Sequence, residues 1–297
     1  MSAKTLLLLD GTAELYRAYY AFREFRNKKG EPTGAAFGFT RSLRQLLETQ
    51  KPTHAAVVFD LPEPTFRHEA YAGYKATRKP APPDMISQIP VVKEIVRGFS
   101  IALVESPGYE ADDVIATLTR MAATAAIEVV IVTQDKDFYQ LLREGVYVLN
   151  PRKGKERIGA ASAERLLGIH PSRTADLLAL MGDSSDNIPG VDGVGEKIAK
   201  RLVSRFSSLD ALYENLDSVE NPRLREKLKN QREQAFLSRS LAVIHDEVPL
   251  SLDLAALELR PQDGAKLSRI FEQLDFSPEA MGLRPDVARQ TGLFDDD

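Results

Sequence analysis

Five short apolar runs mark the first half of the chain, at residues 5–9, 55–59, 101–104, 127–133 and 146–149. They are rich in Leu, Val and Ile. Longer amphipathic stretches lie between them, at 36–48, 85–98 and 111–124. Apolar runs of strand length joined by helical crossovers predict an α/β fold with a mostly parallel sheet. From about residue 160 the strand signal stops. Residues 162–168, 173–181, 195–206, 208–215, 222–243 and 263–274 read as helices separated by Gly, Pro and Asp breaks. The expected organisation is therefore an α/β lobe over 1–160, a helical lobe over 161–280 and a flexible tail over 281–297.

In a parallel sheet, ligands belong at the carboxyl ends of the strands. Asp10 follows Leu9, Asp60 follows Phe59, and Asp135 lies just beyond Val132-Thr133. Three strands thus deliver a carboxylate to one edge. Three further acidic groups carry the same theme. Gly108-Tyr109-Glu110-Ala111-Asp112-Asp113 opens a helix with three acids, where a helix cap needs only one. Glu110 and Asp113, three apart, are expected to share a face and a metal, with Asp112 angled elsewhere. Asp135 and Asp137 are spaced to offer one ligand to each of two ions, and Asp183 and Asp186 repeat the three-residue spacing.

Gathering nine carboxylates is costly through repulsion and desolvation, and a divalent cation is the usual compensation. Oxygen donors without His or Cys point to Mg²⁺ or Mn²⁺, and such sites act mostly on phosphates. Phosphodiester chemistry is the first expectation. The four histidines, His54, His68, His170 and His245, are scattered and read as packing or surface residues.

The 297 residues carry a net charge of −4 and no cysteine. The absence of cysteine excludes disulfides and thiolate zinc sites, and fits a reducing compartment. No apolar run approaches a membrane span and no export signal is evident, so a cytoplasmic location is expected. An acidic chain is an unexpected nucleic-acid binder. Setting the nine candidate ligands aside, however, turns −4 into +5, and setting aside Asp295, Asp296 and Asp297 as well gives +8. The remaining surface is basic enough to track phosphates.

Residues 190–199 read Gly-Val-Asp-Gly-Val-Gly-Glu-Lys-Ile-Ala. Closely spaced glycines between helices permit a hairpin whose N–H groups approach a phosphate, aided by the next helix N-terminus. Gly190, Gly193 and Gly195 are the candidate approach points. Lys197, Lys200 and Arg201 then add positive charge along the helix. Such a hairpin holds a DNA backbone without reading sequence. One alternative reading fails: an aspartyl-phosphate hydrolase loop needs an aspartate two residues before Asp10, and that position is Leu8.

The order of these segments resembles a known family. Leu9-Asp10-Gly11 with Tyr16-Arg17, Val57-Val58-Phe59-Asp60, Phe66-Arg67-His68-Glu69, Gly73-Tyr74-Lys75-Ala76-Thr77-Arg78, then residues 108–113, Asp135-Lys136-Asp137 and residues 182–199 resemble the 5′-nuclease domain of bacterial DNA polymerase I, grouped with the flap endonucleases. The resemblance covers roughly 4–275. It implies a PIN-like nuclease lobe, a helical arch at about 66–98, and a helix-hairpin-helix lobe. It also implies a first metal cluster of Asp10, Asp60, Glu110 and Asp112 with Asp113 close by. The second comprises Asp135, Asp137, Asp183 and Asp186. Two Mg²⁺ ions, replaceable by Mn²⁺, and a K⁺ at the hairpin are the implied cofactors. Lys75 and Arg78 match the arch-base cations that neutralise the scissile phosphate. Tyr16 matches an aromatic on which a displaced base stacks, Arg17 a phosphate contact, and Arg67 belongs to the same wall. The implied partners are DNA with 5′ flaps or RNA–DNA primers, acted on by a monomer associated with the nucleoid.

Two other functions fit less well. A single-strand RNase on a related acidic sheet would lack the glycine hairpin and the helical lobe. A non-catalytic junction binder would have lost second-cluster ligands or Lys75. A separate feature is the tail, where Gln290-Thr291-Gly292-Leu293-Phe294 resembles the short peptide by which bacterial replication proteins dock on the sliding clamp. Gln290, Leu293 and Phe294 would be its anchors, and the chain would then be a complete stand-alone enzyme.

Overall fold

The computed structural model describes residues 4–152, 154, 156–277 and 281. Its centre is a six-stranded sheet in the order β3-β2-β1-β4-β5-β6. The strands are β1 (Thr5–Asp10), β2 (His54–Val58), β3 (Ala102–Val104), β4 (Glu128–Val132), β5 (Val146–Leu149) and β6 (Arg157–Ile158). All pairings are parallel except β5 with β6. Five of the six fall on the apolar runs in the sequence. The two-residue β6 leaves no periodicity to read.

Alternation within the strands divides the core between two layers. Leu7, Leu9, Ala55, Val57, Val130 and Val132 face one side, where α1 (Gly11–Ala21), α2 (Gly34–Gln50) and, past two short helices, α3 (Phe66–Ala70) and α4 (Pro83–Ile86), the helix α5 (Ile89–Gly98) lie. Leu6, Leu8, Ala56, Val58, Val129 and Ile131 face the other, against α6 (Ala111–Thr124). Burying a strand on both faces is what makes its sequence a continuous apolar run. Each fully buried aliphatic side chain contributes ~1.5–3 kcal/mol relative to exposure.

The helical part comprises α7 (Ala160–Leu167), α8 (Thr174–Met181), α9 (Glu196–Arg205), α10 (Leu209–Glu214), α11 (Pro222–Asn230), α12 (Arg232–Ala242) and α13 (Gly264–Gln273). Three boundaries differ from expectation. The stretch 85–98 is interrupted, with Pro90 starting a new helix at α5, and α5 buries Val92, Ile95 and Val96 in the sheet core. The expected arch therefore ends before α5, which is a crossover helix. The stretch 222–243 breaks at Gln231, whose side chain accepts the Asp192 N–H (2.8 Å). Finally, the chain returns to the first lobe after α12. Ile244, Val248 and Leu257 join one sheet layer, while Leu267, Ile270 and Phe271 of α13 join the other. The helical lobe is thus shorter than 161–280, and its own core lies between Ile169 and Ala235.

Among the described residues no helix is long and apolar enough to cross a membrane. The tail segment with Gln290, Leu293 and Phe294 lies outside the described residues.

Candidate metal and nucleic-acid site

The sheet order reverses direction at β1, whose neighbours are β2 and β4. A crevice outside the strand ends is expected at such a switch point. A cleft of about 480 Å³ opens there, lined by Asp10, Asp60, Asp112, Asp135 and Asp186 together with Lys75 and Arg78. Tyr16, Arg17 and Tyr20 from α1 form one wall.

Each carboxylate is aimed by its local structure. Asp10 ends β1 and caps α1, accepting the Ala13 N–H (2.9 Å) and the Thr133 hydroxyl (3.2 Å). Asp60 accepts the Ala111 N–H at the start of α6 (2.9 Å), while its own N–H donates to Thr12 Oγ1 (2.9 Å). Thr12, a position without evident chemistry in the sequence, thus seats an acidic residue of the site. Asp135 accepts the Asp137 N–H (2.8 Å), and Asp183 accepts from the N–H and hydroxyl of Ser185 (2.9 and 2.8 Å).

The electrostatics show how crowded the group is. Burial pushes Asp10 up to about 7 in spite of the Ala13 N–H, with repulsion from Asp60 and Asp135 adding to the rise. Asp137 is pushed up to about 8 by burial and then by Asp135, Asp183 and Asp186. Asp112 and Asp135 are raised for the same reasons, burial first. Water reaches Asp135, yet the concave walls around it remove much of the solvation a carboxylate needs. Asp135 feels Asp183 and Asp186 on one side and in turn raises Asp10 and Asp112 on the other. Members of both expected clusters thus share one cleft, with Asp135 between them.

One expected ligand, Asp113, and one expected wall residue, Arg67, depart from expectation, and the expected division at 110–113 is reversed. Asp112 faces the cleft, whereas Asp113 is fully buried behind it. Asp113 sits at the third position of α6 and turns back to accept the Glu110 N–H (3.1 Å), so two of the three acids serve the helix start. It is also bound in bidentate fashion by Arg67 (2.7 and 2.8 Å). Asp113 therefore does not stand among the cleft carboxylates. Arg67 is likewise corrected: at 2% exposure it cannot belong to a DNA-facing wall. Glu110 is buried and does not itself line the cleft; it lies behind Lys75, which does, and accepts from Lys75 Nζ (2.6 Å), Tyr74 OH (3.0 Å) and Arg67 (3.1 Å). The buried Tyr74 also donates toward Asp186 (3.3 Å), a link no sequence spacing revealed.

Lys75 lies 3.7 Å from Asp186, which Arg78 also pairs with. Burial works against the Lys75 charge, but Glu110 and Asp186 outweigh it and hold the ammonium protonated. Arg17 is half-buried and tied to Glu14 (2.8 Å) and Ser42 (2.9 Å), and it lines the cleft from that fixed position. Tyr16 is half-buried beside it, and the exposed Tyr20 extends the aromatic wall by one helical turn.

The glycine hairpin between α8 and α9 is anchored by buried Val191 and Val194. Its glycines divide by role. Gly190 is buried, and its N–H and C=O pair with Ser238 (3.0 Å) and Gln234 (2.7 Å) of α12. A Cβ there would collide with the Met181–Gly182 backbone, so Gly190 is a packing glycine and not a phosphate contact. Gly193 is exposed at φ +77° with the Lys227 ammonium close over it, and Gly195 opens on free space. Lys197 and Arg201 are exposed on α9, and Lys200 pairs with Glu196 (2.7 Å).

The donor chemistry fits hard divalent cations. The carboxylates are crowded, partly desolvated and short of positive charge, and their oxygens are the type Mg²⁺ takes. As they stand, no three carboxylates among the described residues converge closely enough to hold an ion. The Lys75 ammonium supplies part of the missing charge.

Residues 5–168 match the 5′-3′ exonuclease N-terminal resolvase-like domain, and residues 169–265 match the 5′-3′ exonuclease C-terminal SAM fold. The thermostable DNA polymerase I of Thermus aquaticus is 42% identical over 271 residues, 91% of this chain and 32% of that protein. DNA polymerase I of Bacillus subtilis (strain 168) is 38% identical over 288 residues, 96% of this chain and 33% of that protein. The chain thus spans about a third of the length of these relatives. T5 5′-exonuclease with divalent zinc ions bound has a similar fold, with a TM-score of 0.70 at 19% identity, covering 91% of this chain and 98% of that one. The catalytic core of Rad2 in complex with DNA substrate has a TM-score of 0.62 at 18% identity, covering 94% and 92%. Strand-end carboxylates, hairpin and both matched domains lead to one conclusion: the chain belongs to the 5′-3′ exonuclease family.

Proposed function

We propose that this chain is a structure-specific 5′-3′ exonuclease and 5′-flap endonuclease that hydrolyses phosphodiesters with two divalent cations. The observation that carries this reading is the single cleft in which Asp10, Asp60, Asp112, Asp135 and Asp186 meet Lys75 and Arg78 beside an aromatic wall. Asp10, Asp60, Glu110 and Asp112 would hold one Mg²⁺, and Asp135, Asp137, Asp183 and Asp186 the other, with Mn²⁺ as a substitute. Bound ions supply charge neutralisation and an acidified water. Water then adds to phosphorus as the bond to the 3′ oxygen breaks.

The chain's own residues do the rest. Lys75 and Arg78 stand where they can donate charge-assisted hydrogen bonds to the scissile phosphate as negative charge builds on it. Tyr16 offers a face for a displaced base, and Arg17 a fixed cation for the phosphate next to it. The Gly193–Gly195 turn, a candidate K⁺ site, and the exposed Lys197 and Arg201 with Lys200 hold the duplex backbone without sequence preference. Arg67 and Asp113 lie behind the cleft and have no place in the substrate path. The substrates in this reading are 5′ flaps and RNA–DNA primers, cut by a cytoplasmic monomer during Okazaki fragment maturation and repair. The 290–294 segment would tether it to the sliding clamp, which Leu293→Ala with Phe294→Ala should abolish in a clamp-binding titration.

The deciding experiment offers a 5′-flapped duplex, a blunt duplex and single-stranded RNA to the protein, in Mg²⁺ and in EDTA. Cleavage of the flap alone, in Mg²⁺ alone, is the expected result. Cleavage of single-stranded RNA in preference to the flap would overturn it, and binding without cleavage would point to a junction-binding protein.

A further inference from the structure

Among the described residues Arg67 is the only buried lysine or arginine. A guanidinium carries five N–H donors. Here all five find acceptors: Asp113 Oδ1 (2.7 Å) and Oδ2 (2.8 Å), Glu110 Oε2 (3.1 Å), and the carbonyls of Leu241 (3.0 Å) and Val243 (2.7 Å). Well-packed apolar residues often stabilise a fold as well as a buried ion pair does. The arrangement instead gives Glu110 a defined orientation: Oε2 is held from behind by Arg67 and Tyr74, and Oε1 is turned toward the cleft side, where it accepts from Lys75.

The same guanidinium joins two parts of the molecule. The Leu241 and Val243 carbonyls end α12, and Asp113 Oδ1 accepts the His245 N–H (2.9 Å) just beyond. One to two turns earlier, Ser238 and Gln234 of α12 bind both backbone groups of Gly190 at the base of the hairpin. Hydrogen bonds thus tie the base of the hairpin, at Gly190, to α12, and the end of α12 through Arg67 to Glu110.

We propose that Arg67 is a positioning residue that sets Glu110 for divalent-cation binding and couples that binding to duplex engagement at the hairpin. This rests on the metal-dependent reading above. The test is a Mn²⁺ titration of the full chain, followed by calorimetry and by the signal of free Mn²⁺, with and without a 5′-flapped duplex. Wild-type protein should bind Mn²⁺, and more tightly when the duplex is present, with reciprocal tightening of the duplex by Mn²⁺. Arg67→Lys keeps the charge but cannot reproduce the planar fork. It should weaken Mn²⁺ binding by about 10–100-fold, as loss of an outer-shell partner does, and should lose the tightening by duplex. A merely structural role would lower the melting temperature and the folded fraction but leave the affinity of each folded molecule unchanged. Asp113→Asn, which removes the bidentate anchor and leaves Glu110 and Arg67 in place, should weaken Mn²⁺ in the same direction. Wild-type Mn²⁺ affinity and wild-type coupling in both variants would overturn the proposal alone. Failure of the wild-type protein to bind Mn²⁺ would overturn the metal reading with it.

Discussion

Lys75 Nζ donates to Glu110 Oε1 at 2.6 Å and lies 3.7 Å from Asp186 Oδ2, so one ammonium spans an acid of the sheet lobe and an acid of the helical lobe. Its backbone is fixed too, with φ +53° and an N–H that donates to the Asp186 carbonyl (2.9 Å). Lys75 is therefore a counter-charge for the acidic cleft, and the proposed function adds a second role, as a donor to the scissile phosphate.

Replacing this donor separates those roles. Lys75→Ala should lower single-turnover flap cleavage by about 10²–10³-fold, as loss of one preorganised donor does, while flap binding changes far less. Equal losses in binding and rate would make Lys75 a simple phosphate tether. The variant should also melt at lower temperature than wild type in EDTA, with the gap narrowing in Mg²⁺.

Asp183→Asn tests the need for a second ion. It removes one charge from the acidic constellation and none from the basic hairpin. Cleavage in Mg²⁺ should be abolished, and flap binding in Ca²⁺ should remain close to wild type. Full turnover by this variant would contradict the assignment of Asp183 to an essential cation.

Asp137 gives the pH dependence. Its folded-state pKa is pushed up to about 8 from 3.8, so the folded state favours the protonated form. Stability linked to this group is intact below about pH 4 and is lost progressively as pH rises toward 8. In EDTA, Asp137→Asn should match wild type in melting temperature near pH 4 and exceed it near pH 8. In Mg²⁺ the order at pH 8 should reverse, because only the carboxylate gains from the cation. A variant less stable than wild type at pH 8 in EDTA would show that burial and repulsion of the Asp137 charge do not govern this site.

The two exposed hairpin glycines should behave differently. Gly193 adopts φ +77° and a Cβ would stand 2.3 Å from Lys227 Nζ, so Gly193→Ala should cost ~1 kcal/mol or more of stability. Gly195 has an ordinary backbone and open space around it. Gly195→Val should leave the melting temperature nearly unchanged and weaken duplex binding equally for every sequence. A changed sequence preference, measured across several duplexes, would contradict backbone recognition.

The sequence by itself determined the sheet lobe and the edge that carries the chemistry. Burial on both faces forces a strand to be continuously apolar, so each run announces itself, and the aspartate that ends it is placed by chain direction alone. Asp10, Asp60 and Asp135 were legible for that reason, as was the glycine turn before α9. Tertiary structure decided which neighbours meet. Asp112 and Asp113 are adjacent in sequence, and helix rotation alone did not say which would enter the cleft; the capping bond to Glu110 and the Arg67 fork, 46 residues away, settled it. Arg67 looks like any surface cation in the sequence, because what buries it comes from α6 and from carbonyls more than 170 residues distant. Gly190 and Gly195 are equally permissive as residues, and only the Met181–Gly182 backbone against the first distinguishes packing from open approach. Likewise α13 shows an amphipathic period but not its partner, and its return to the sheet lobe beside α5 comes from long-range apolar complementarity that no local pattern encodes.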